Sequence, residues 1–210
     1  MKNVARYLLL LLLLPLFAQA ATYEEGRDYQ RIVPAQPTDD PGKIEVVELF
    51  WYGCPHCYRF QPYMERWLKQ KPADVAYRRM PAILAPHWEL LAKAYYTAQA
   101  LGIADRIHRP LFDAIHAQKR RMDTEERVMD FFVEQGVSKD DFKKAFNSFW
   151  VDAKLRSAKE MSRRYQAHAT PSVVVNGKYI LNPDDTHGSF NTMIKVINFL
   201  IDKERAANKG

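Results

Sequence analysis

Two cysteines, Cys54 and Cys57, are the only cysteines in the 210 residues, and two positions separate them. An apolar run ends just before Cys54 and an amphipathic pattern begins there, so the sequence predicts a strand followed by a helix. Unpaired backbone N–H groups and the positive end of the helix dipole favour a thiolate at a helix N-terminus. We therefore expect Cys54 to be the nucleophile of a thiol–disulfide exchange reaction.

The residues after the motif give the two sulfur atoms different roles. Apolar residues follow Cys57 at spacings of three and four, at Phe60, Met64, Trp67 and Leu68. Cys57 therefore belongs to the apolar face of the helix, whereas Cys54 lies at its open end. Such a pair can form a disulfide, accept attack at Cys54 and be left as a dithiol. Pro55 suits the first helical turn, and an imidazolium at His56 would favour the Cys54 thiolate.

Glu48 is a carboxylate within the predicted strand Ile44–Tyr52, whose other residues are mostly apolar. A strand that is apolar on both faces is expected to be covered by helices on both sides. A carboxylate there must be neutral, paired or hydrated, so Glu48 needs a specific partner. The alternative is a solvent-facing residue on an edge strand, since Glu45 shows that the start of the strand tolerates an acid.

Residues 1–20 have the pattern of a secretory signal peptide. Lys2 and Arg6 precede an apolar run, and Ala18-Gln19-Ala20 forms a small-residue cleavage site, so we expect cleavage after Ala20. The apolar run is short for a membrane span of about 20 residues, and an uncleaved anchor is the alternative. Export places the cysteine pair in an oxidising compartment. Cleavage also lowers the formal charge from +6 to 6 − 2 = +4.

Composition argues against several other classes of protein. A hydrophobic content of 47% can supply a sizeable core, so a single pair of cysteines is not needed as a structural framework. The charges are dispersed apart from Lys119-Arg120-Arg121, which does not indicate a nucleic-acid interface. A zinc site needs four ligands, and we expect no metal. The remaining histidines are interpreted as surface or internally satisfied side chains: His87, His108, His116, His168 and His187.

The rest of the chain predicts one α/β unit with a helical insertion. Further strands are expected near Tyr29–Val33 and at Asp74–Met80. A kink at Pro62 is expected in the helix that follows the Cys54 motif. Asn176-Gly177 between two β-prone runs predicts a hairpin, and an amphipathic helix closes the chain. We assign a thioredoxin-like domain to residues 21–83 and 151–210, and a helical insertion to residues 84–150.

Helix starts within the insertion are indicated by two capping patterns. Asp123 with Glu126 predicts one capping box, and Ser138 with Asp141 predicts a second. Gly136 is expected to end the helix that begins at the first of them.

Together these motifs resemble the thioredoxin-like periplasmic DsbA family over most of the chain beyond residue 21. The residues that carry the resemblance are Cys54-Pro55-His56-Cys57, the preceding Glu48-Leu49-Phe50, and the downstream Thr170-Pro171 and Val175-Asn176-Gly177-Lys178-Tyr179. The resemblance implies an α/β thioredoxin-like fold with an inserted all-helical domain. It also implies that Pro171 is a cis-proline beside the cysteine pair, in a loop that binds substrate, and that Glu48 exchanges a proton with Cys57. Thr170 departs from the bulky aliphatic residue common at this position in the oxidase branch, and its hydroxyl is expected to reach the sulfur atoms.

The function implied is a periplasmic thiol oxidase that donates its Cys54–Cys57 disulfide to newly exported proteins without a bound cofactor. Its partners would be reduced or unfolded exported proteins and a quinone-linked membrane oxidase of the DsbB kind, and we expect a monomer. An apolar groove for unfolded chains is expected along Trp51, Tyr52, Trp88 and the Pro171 loop. The alternatives are a disulfide isomerase or reductase, and a chaperone-like module whose cysteines are incidental.

Overall fold

The computed structural model describes residues 22–207, so the predicted signal peptide at residues 1–20 lies outside the described part of the chain. Within the described range, five strands form one sheet in the order β1-β5-β4-β2-β3. Strand β2 runs parallel to β3 and antiparallel to β4, and the pairs β4–β5 and β5–β1 are antiparallel. The strands are β1 Gln30–Arg31, β2 Ile44–Phe50, β3 Val75–Pro81, β4 Ser172–Val175 and β5 Tyr179–Leu181.

Helices cover both faces of the sheet, as the apolar pattern of β2 predicts. All seven residues of β2 are buried. One face packs against α1 and α7, and the other packs against helices inserted between β3 and β4. The helices are α1 Pro55–Gln70, α2 Glu89–Ala100, α3 Ala104–His116, α4 Glu125–Glu134, α5 Lys139–Phe146, α6 Phe149–Arg164 and α7 Phe190–Ala207. The predicted thioredoxin-like fold with a helical insertion is confirmed.

Helix α6 runs through the predicted domain boundary between residues 150 and 151, and it packs against α2. By packing, therefore, the helical region continues to Arg164. None of the helices in residues 22–207 has both the length and the apolar character that a membrane crossing requires.

The predicted hairpin between β4 and β5 is present, and its turn depends on one glycine. Asn176 and Gly177 have φ values of +52° and +64°, so both central residues of the turn that begins at Val175 adopt the left-handed region. A Cβ atom on Gly177 would lie 2.0 Å from the carbonyl oxygen of Gln36. The backbone N–H of Gln36 donates to the Gly177 carbonyl over 2.9 Å, which holds the entry loop against the turn.

The helix ends follow the sequence with one correction. Ser138 caps α5 and accepts from the Asp141 N–H, as predicted, but α4 is capped by Thr124 and not by Asp123. The Thr124 hydroxyl accepts from the N–H of Arg127, while the Asp123 carboxylate pairs with the guanidinium groups of Arg121 and Arg127. Asp and Thr both suit an N-cap, so the sequence pattern alone did not choose between these two neighbours.

Candidate active site

Cys54 is the N-cap residue of α1, and the first turn of the helix surrounds its sulfur with N–H groups. Its φ and ψ are −86° and 115°, and Sγ accepts from the Cys57 N–H over 3.4 Å. Pro55 occupies the first helical position, where its lack of an N–H costs no helical hydrogen bond.

The two cysteines, both free thiols in the structure, have opposite acid–base character. A hydrogen bond from the Cys57 side chain is the largest influence on the pKa of Cys54 and lowers it. Together with Thr170 and the helix N–H groups, it lowers the pKa of Cys54 to about 5 despite burial of the sulfur. Burial raises the pKa of Cys57 well above its ordinary value. Cys57 is fully buried and Cys54 is 8% exposed, so the site favours one accessible thiolate and one covered thiol.

Thr170 and Pro171 lie beside the cysteines although 116 positions separate Cys54 from Thr170. The peptide bond between Thr170 and Pro171 is cis. The Cys54 thiol donates to the Thr170 carbonyl over 3.3 Å. Thr170 also acts through its side chain to lower the pKa of each cysteine, although burial outweighs this effect at Cys57. The residue before Pro171 is thus part of the environment of both sulfurs.

The His56 ring lies next to a second side chain of α1. Arg59 Nη2 donates to His56 Nδ1 over 3.1 Å on the exposed side of the helix. The backbone N–H of His56 acts to lower the pKa of Cys54. The expected interaction of a His56 imidazolium with the Cys54 thiolate stays a prediction.

Glu48 is fully buried in β2, which has neighbours on both sides, so the edge-strand alternative is wrong. Gln61 Nε2 donates to Glu48 Oε1 over 2.8 Å, and the Tyr77 hydroxyl donates to Oε2. The Arg79 guanidinium is more distant, with Nε 3.8 Å from Oε2. Gln61 follows Cys57 by one turn of α1, so the side chain that bonds the carboxyl group lies on the same helix face as the buried thiol.

The sequence analysis missed the polar side chains that continue the hydrogen-bond chain beyond Glu48 and Gln61. His108 Nε2 lies 2.9 Å from Gln61 Oε1, and the Tyr52 hydroxyl lies 3.1 Å from His108 Nδ1. His108 is an internally satisfied histidine, consistent with the sequence interpretation. The one available signal was Gln61, a polar residue at i+4 from Cys57 on an otherwise apolar face.

The aromatic residues around the motif are arranged differently from the predicted groove. Tyr52 is 1% exposed and lies in the core, so its expected place in a surface groove is wrong. Trp51 and Trp88 stack in parallel with ring centroids 4.4 Å apart. Gly53 makes room for this stack, because a Cβ atom there would lie 2.4 Å from the Trp51 ring.

Comparisons with known proteins agree with this geometry. Residues 45–192 match the model of the DSBA-like thioredoxin domain family. The chain is 40% identical to the thiol:disulfide interchange protein DsbA of Pseudomonas aeruginosa over 192 residues, which is 91% of this chain and 90% of the relative. It is 41% identical to the protein of the same name from Pseudomonas syringae pv. tomato over 194 residues, covering 92% and 90%.

Solved structures give the same result. The crystal structure of Pseudomonas aeruginosa DsbA matches with a TM-score of 0.85 and 38% identity, covering 90% of this chain and 97% of that one. The oxidoreductase DsbA from Xylella fastidiosa matches with a TM-score of 0.81 and 31% identity, covering 89% and 99%. The chain therefore belongs to the DsbA family of thioredoxin-like thiol:disulfide oxidoreductases.

Proposed function

We propose that this protein is a periplasmic thiol oxidase that donates a Cys54–Cys57 disulfide to newly exported proteins. The observation that carries the proposal is the contrast between the two thiols. The pKa of Cys54 is lowered to about 5, while that of Cys57 is raised by burial. A stabilised Cys54 thiolate favours the reduced form of the protein, so the disulfide is driven to oxidise a substrate.

The exchange proceeds in two displacements. A substrate thiolate attacks Cys54 Sγ, the Cys54–Cys57 bond breaks, and the Cys57 sulfur leaves as a thiolate that takes a proton. A second substrate thiolate then attacks the substrate sulfur of the mixed disulfide, and Cys54 leaves as a thiolate stabilised by the first turn of α1. The substrate loses two electrons and gains a disulfide, while the protein becomes a dithiol.

Glu48 is the group we assign to proton exchange with Cys57. A thiol whose pKa is raised by burial must be protonated when it leaves and deprotonated when it attacks. The Glu48 carboxyl group is buried and bonded to Gln61, which lies one turn after Cys57 on the same face of α1. Its two oxygens accept from Gln61 and Tyr77, which stabilises the carboxylate left after the proton has moved.

The remaining site residues and partners follow from the same proposal. Pro55 and the His56 N–H tune the Cys54 thiolate, and the Thr170–Pro171 loop offers backbone groups to an extended substrate chain. The substrates are reduced or unfolded exported proteins, received after removal of a signal peptide at Ala20. A quinone-linked membrane oxidase of the DsbB kind restores the disulfide, and the protein acts as a monomer.

The test is disulfide transfer to a reduced, unfolded substrate protein by three forms of the mature chain. Wild type oxidises the substrate, and Cys54→Ser transfers no disulfide. Cys57→Ser, activated by a small disulfide reagent at Cys54, forms a mixed disulfide with the substrate. Transfer by Cys54→Ser would contradict the assignment of the nucleophile. Substrate binding that persists without transfer in wild type would favour the chaperone-like alternative.

An isomerase or reductase is separated from an oxidase by the direction of exchange. The wild-type protein is equilibrated with defined ratios of reduced and oxidised glutathione, and the fraction that holds the Cys54–Cys57 disulfide is measured by alkylation. The oxidase proposal requires the dithiol to predominate in buffers where an ordinary structural disulfide stays oxidised. A predominant disulfide in those buffers would favour the reductase.

A further inference from the structure

A buried histidine from the helical insertion is connected to the Glu48 carboxyl group through one intervening side chain. His108 lies on α3 and is 3% exposed, and Gln61 lies on α1 and is 1% exposed. The Gln61 amide bonds to Glu48 on one side and to His108 on the other, over 2.8 and 2.9 Å. The far side of the His108 ring meets the Tyr52 hydroxyl over 3.1 Å. The mechanism above makes no use of His108.

The direction of each hydrogen bond follows from the amide. The nitrogen of Gln61 faces Glu48, so its oxygen faces His108 and can only accept. His108 Nε2 must therefore carry the ring proton, and Nδ1 accepts from Tyr52. Burial, with smaller effects from the Arg79 and Arg109 guanidinium groups, lowers the pKa of His108 well below its ordinary value, so the ring is neutral.

Within residues 22–207, His108 is the one side chain bonded to the Gln61 amide oxygen, so loss of its N–H would leave that end of the amide unfixed. Turned over, the amide would present its oxygen to Glu48 and would favour a carboxyl group that keeps its proton. We propose that His108 is a positioning residue for thiol–disulfide exchange: its Nε2–H holds the Gln61 N–H toward Glu48, which keeps that carboxylate able to accept the Cys57 proton. This role rests on the proposed function of Glu48.

Reoxidation is the step that depends on this arrangement. With oxidised glutathione as the oxidant, the Cys54 thiolate attacks one sulfur and a first glutathione thiolate leaves. Cys57 then passes its proton to Glu48 as its sulfur attacks Cys54. The Cys54–glutathione bond breaks, a second glutathione thiolate leaves, and the Cys54–Cys57 disulfide forms. One glutathione disulfide is reduced to two thiols as the protein dithiol is oxidised.

Two substitutions of His108 test whether the Nε2–H donor matters or only the volume of the ring. His108→Asn places its amide at the level of Nδ1, so it can meet Tyr52 but does not extend to Gln61. His108→Gln is longer by one methylene and places an N–H at the level of Nε2. Phe132→Leu is the control, because it loosens the buried core of α4 without touching this hydrogen-bond chain.

The measurement is closure of the Cys54–glutathione mixed disulfide, followed by rapid acid quench and intact mass over a range of pH. His108→Asn should close about tenfold more slowly than wild type, the effect of one lost hydrogen bond. The deficit should be largest at low pH, where Cys57 most needs a base. His108→Gln should recover most of the rate, and Phe132→Leu should keep it. Nitrogen-15 NMR of the wild-type histidine ring should place the His108 proton on Nε2.

Several outcomes would overturn the proposal. These are closure by His108→Asn at the wild-type rate, equal losses of rate in the Asn and Gln variants, an equal loss of rate in Phe132→Leu, or a His108 ring proton on Nδ1. Glu48→Gln separates the positioning role of His108 from the proton-transfer role of Glu48. Slow closure by Glu48→Gln beside normal closure by His108→Asn would reject His108 alone. Normal closure by Glu48→Gln would reject the proton-transfer role of Glu48 and the positioning role together.

Discussion

Thr170 precedes the cis peptide bond and lies beside the nucleophile Cys54. Its side chain acts to lower the pKa of both Cys54 and Cys57, although burial outweighs this effect at Cys57. A hydroxyl can donate to a thiolate, and a methyl group in the same place cannot. The residue before the cis peptide bond therefore influences the acidity of sulfurs more than 100 positions away in the sequence.

We expect Thr170→Val to raise the pKa of Cys54 by about one pH unit, because one donor to the thiolate is lost while the volume is kept. The measurement is the ultraviolet absorbance of the thiolate as a function of pH, on the reduced protein. Thr170→Ser keeps the hydroxyl and is the matched control. Equal titration midpoints for the Val and Ser variants would show that the hydroxyl does not act on Cys54.

Glu48 allows a second prediction at this scale, about stability. Replacement by leucine removes the acceptor of both Gln61 and Tyr77, whose polar groups would then be buried without that partner. We expect Glu48→Leu to lower the free energy of unfolding by about 2 to 4 kcal/mol, and Glu48→Gln, which keeps an acceptor oxygen, to lower it by less. Denaturant unfolding of the two variants checks the order. Greater stability of the Leu variant than of the Gln variant would contradict it.

At the scale of elements, the turn between β2 and α1 is shaped by the packing of Trp51. Its ring lies over Gly53 and stacks on Trp88 from the start of the helical insertion. An alanine at Gly53 would put a methyl group inside the space of the Trp51 ring, which cannot move without leaving Trp88. The stack thus connects the loop before Cys54 to the insertion.

Gly53→Ala should therefore lower the free energy of unfolding by about 1 to 3 kcal/mol, as overpacking does, and should change the tryptophan fluorescence of the folded protein. Gly42→Ala is the control, since its new Cβ would meet only the side-chain oxygen of Asp40, at 3.3 Å. If both variants unfold at the same denaturant concentration as wild type, the Trp51 ring is not confined as the packing indicates.

The elements were largely predictable because their signals are local. The apolar run correctly predicted β2, although the strand ends at Phe50 and not at Tyr52. Asn176-Gly177 correctly predicted the hairpin. Helix α1 continues past Pro62 to Gln70, as its apolar spacing indicates. The N-cap of α4 was missed by one position because the adjacent residues Asp123 and Thr124 both suit a cap, and the sequence pattern does not choose between them.

The polar shell of the site was less predictable because it depends on contacts between distant elements. His108 is 47 positions from Gln61 and 56 from Tyr52. Nothing in the spacing of these three residues joins them until α3 packs against α1. The contact between Arg59 Nη2 and His56 Nδ1, over 3.1 Å and one turn apart on the exposed face of α1, is by contrast a local one that helix spacing could have indicated.

For the whole molecule, the acidity of Cys54 makes folding stability depend on both redox state and pH. The pKa of Cys54 falls from an ordinary value of 9.0 to about 5 on folding. Between these values the unfolded chain binds one more proton than the folded protein, so the stability of the reduced protein rises with pH. The oxidised protein lacks this titrating thiol. The raised pKa of Cys57 has the opposite sign, and its effect is lost stability only as pH rises above about 9.

We therefore expect the reduced protein to gain stability relative to the oxidised protein from about pH 5 to about pH 8, by about 1.4 kcal/mol per pH unit, or about 3 kcal/mol at pH 7. The measurement is denaturant unfolding of the mature chain from Ala21 in both redox states across this range. Reduced Cys54→Ser lacks the titrating thiol and should lose the slope. A difference between redox states that does not change with pH would mean that folding does not stabilise the thiolate. In that case the proposed oxidase would lack its driving force, because the fold would then favour neither state through Cys54.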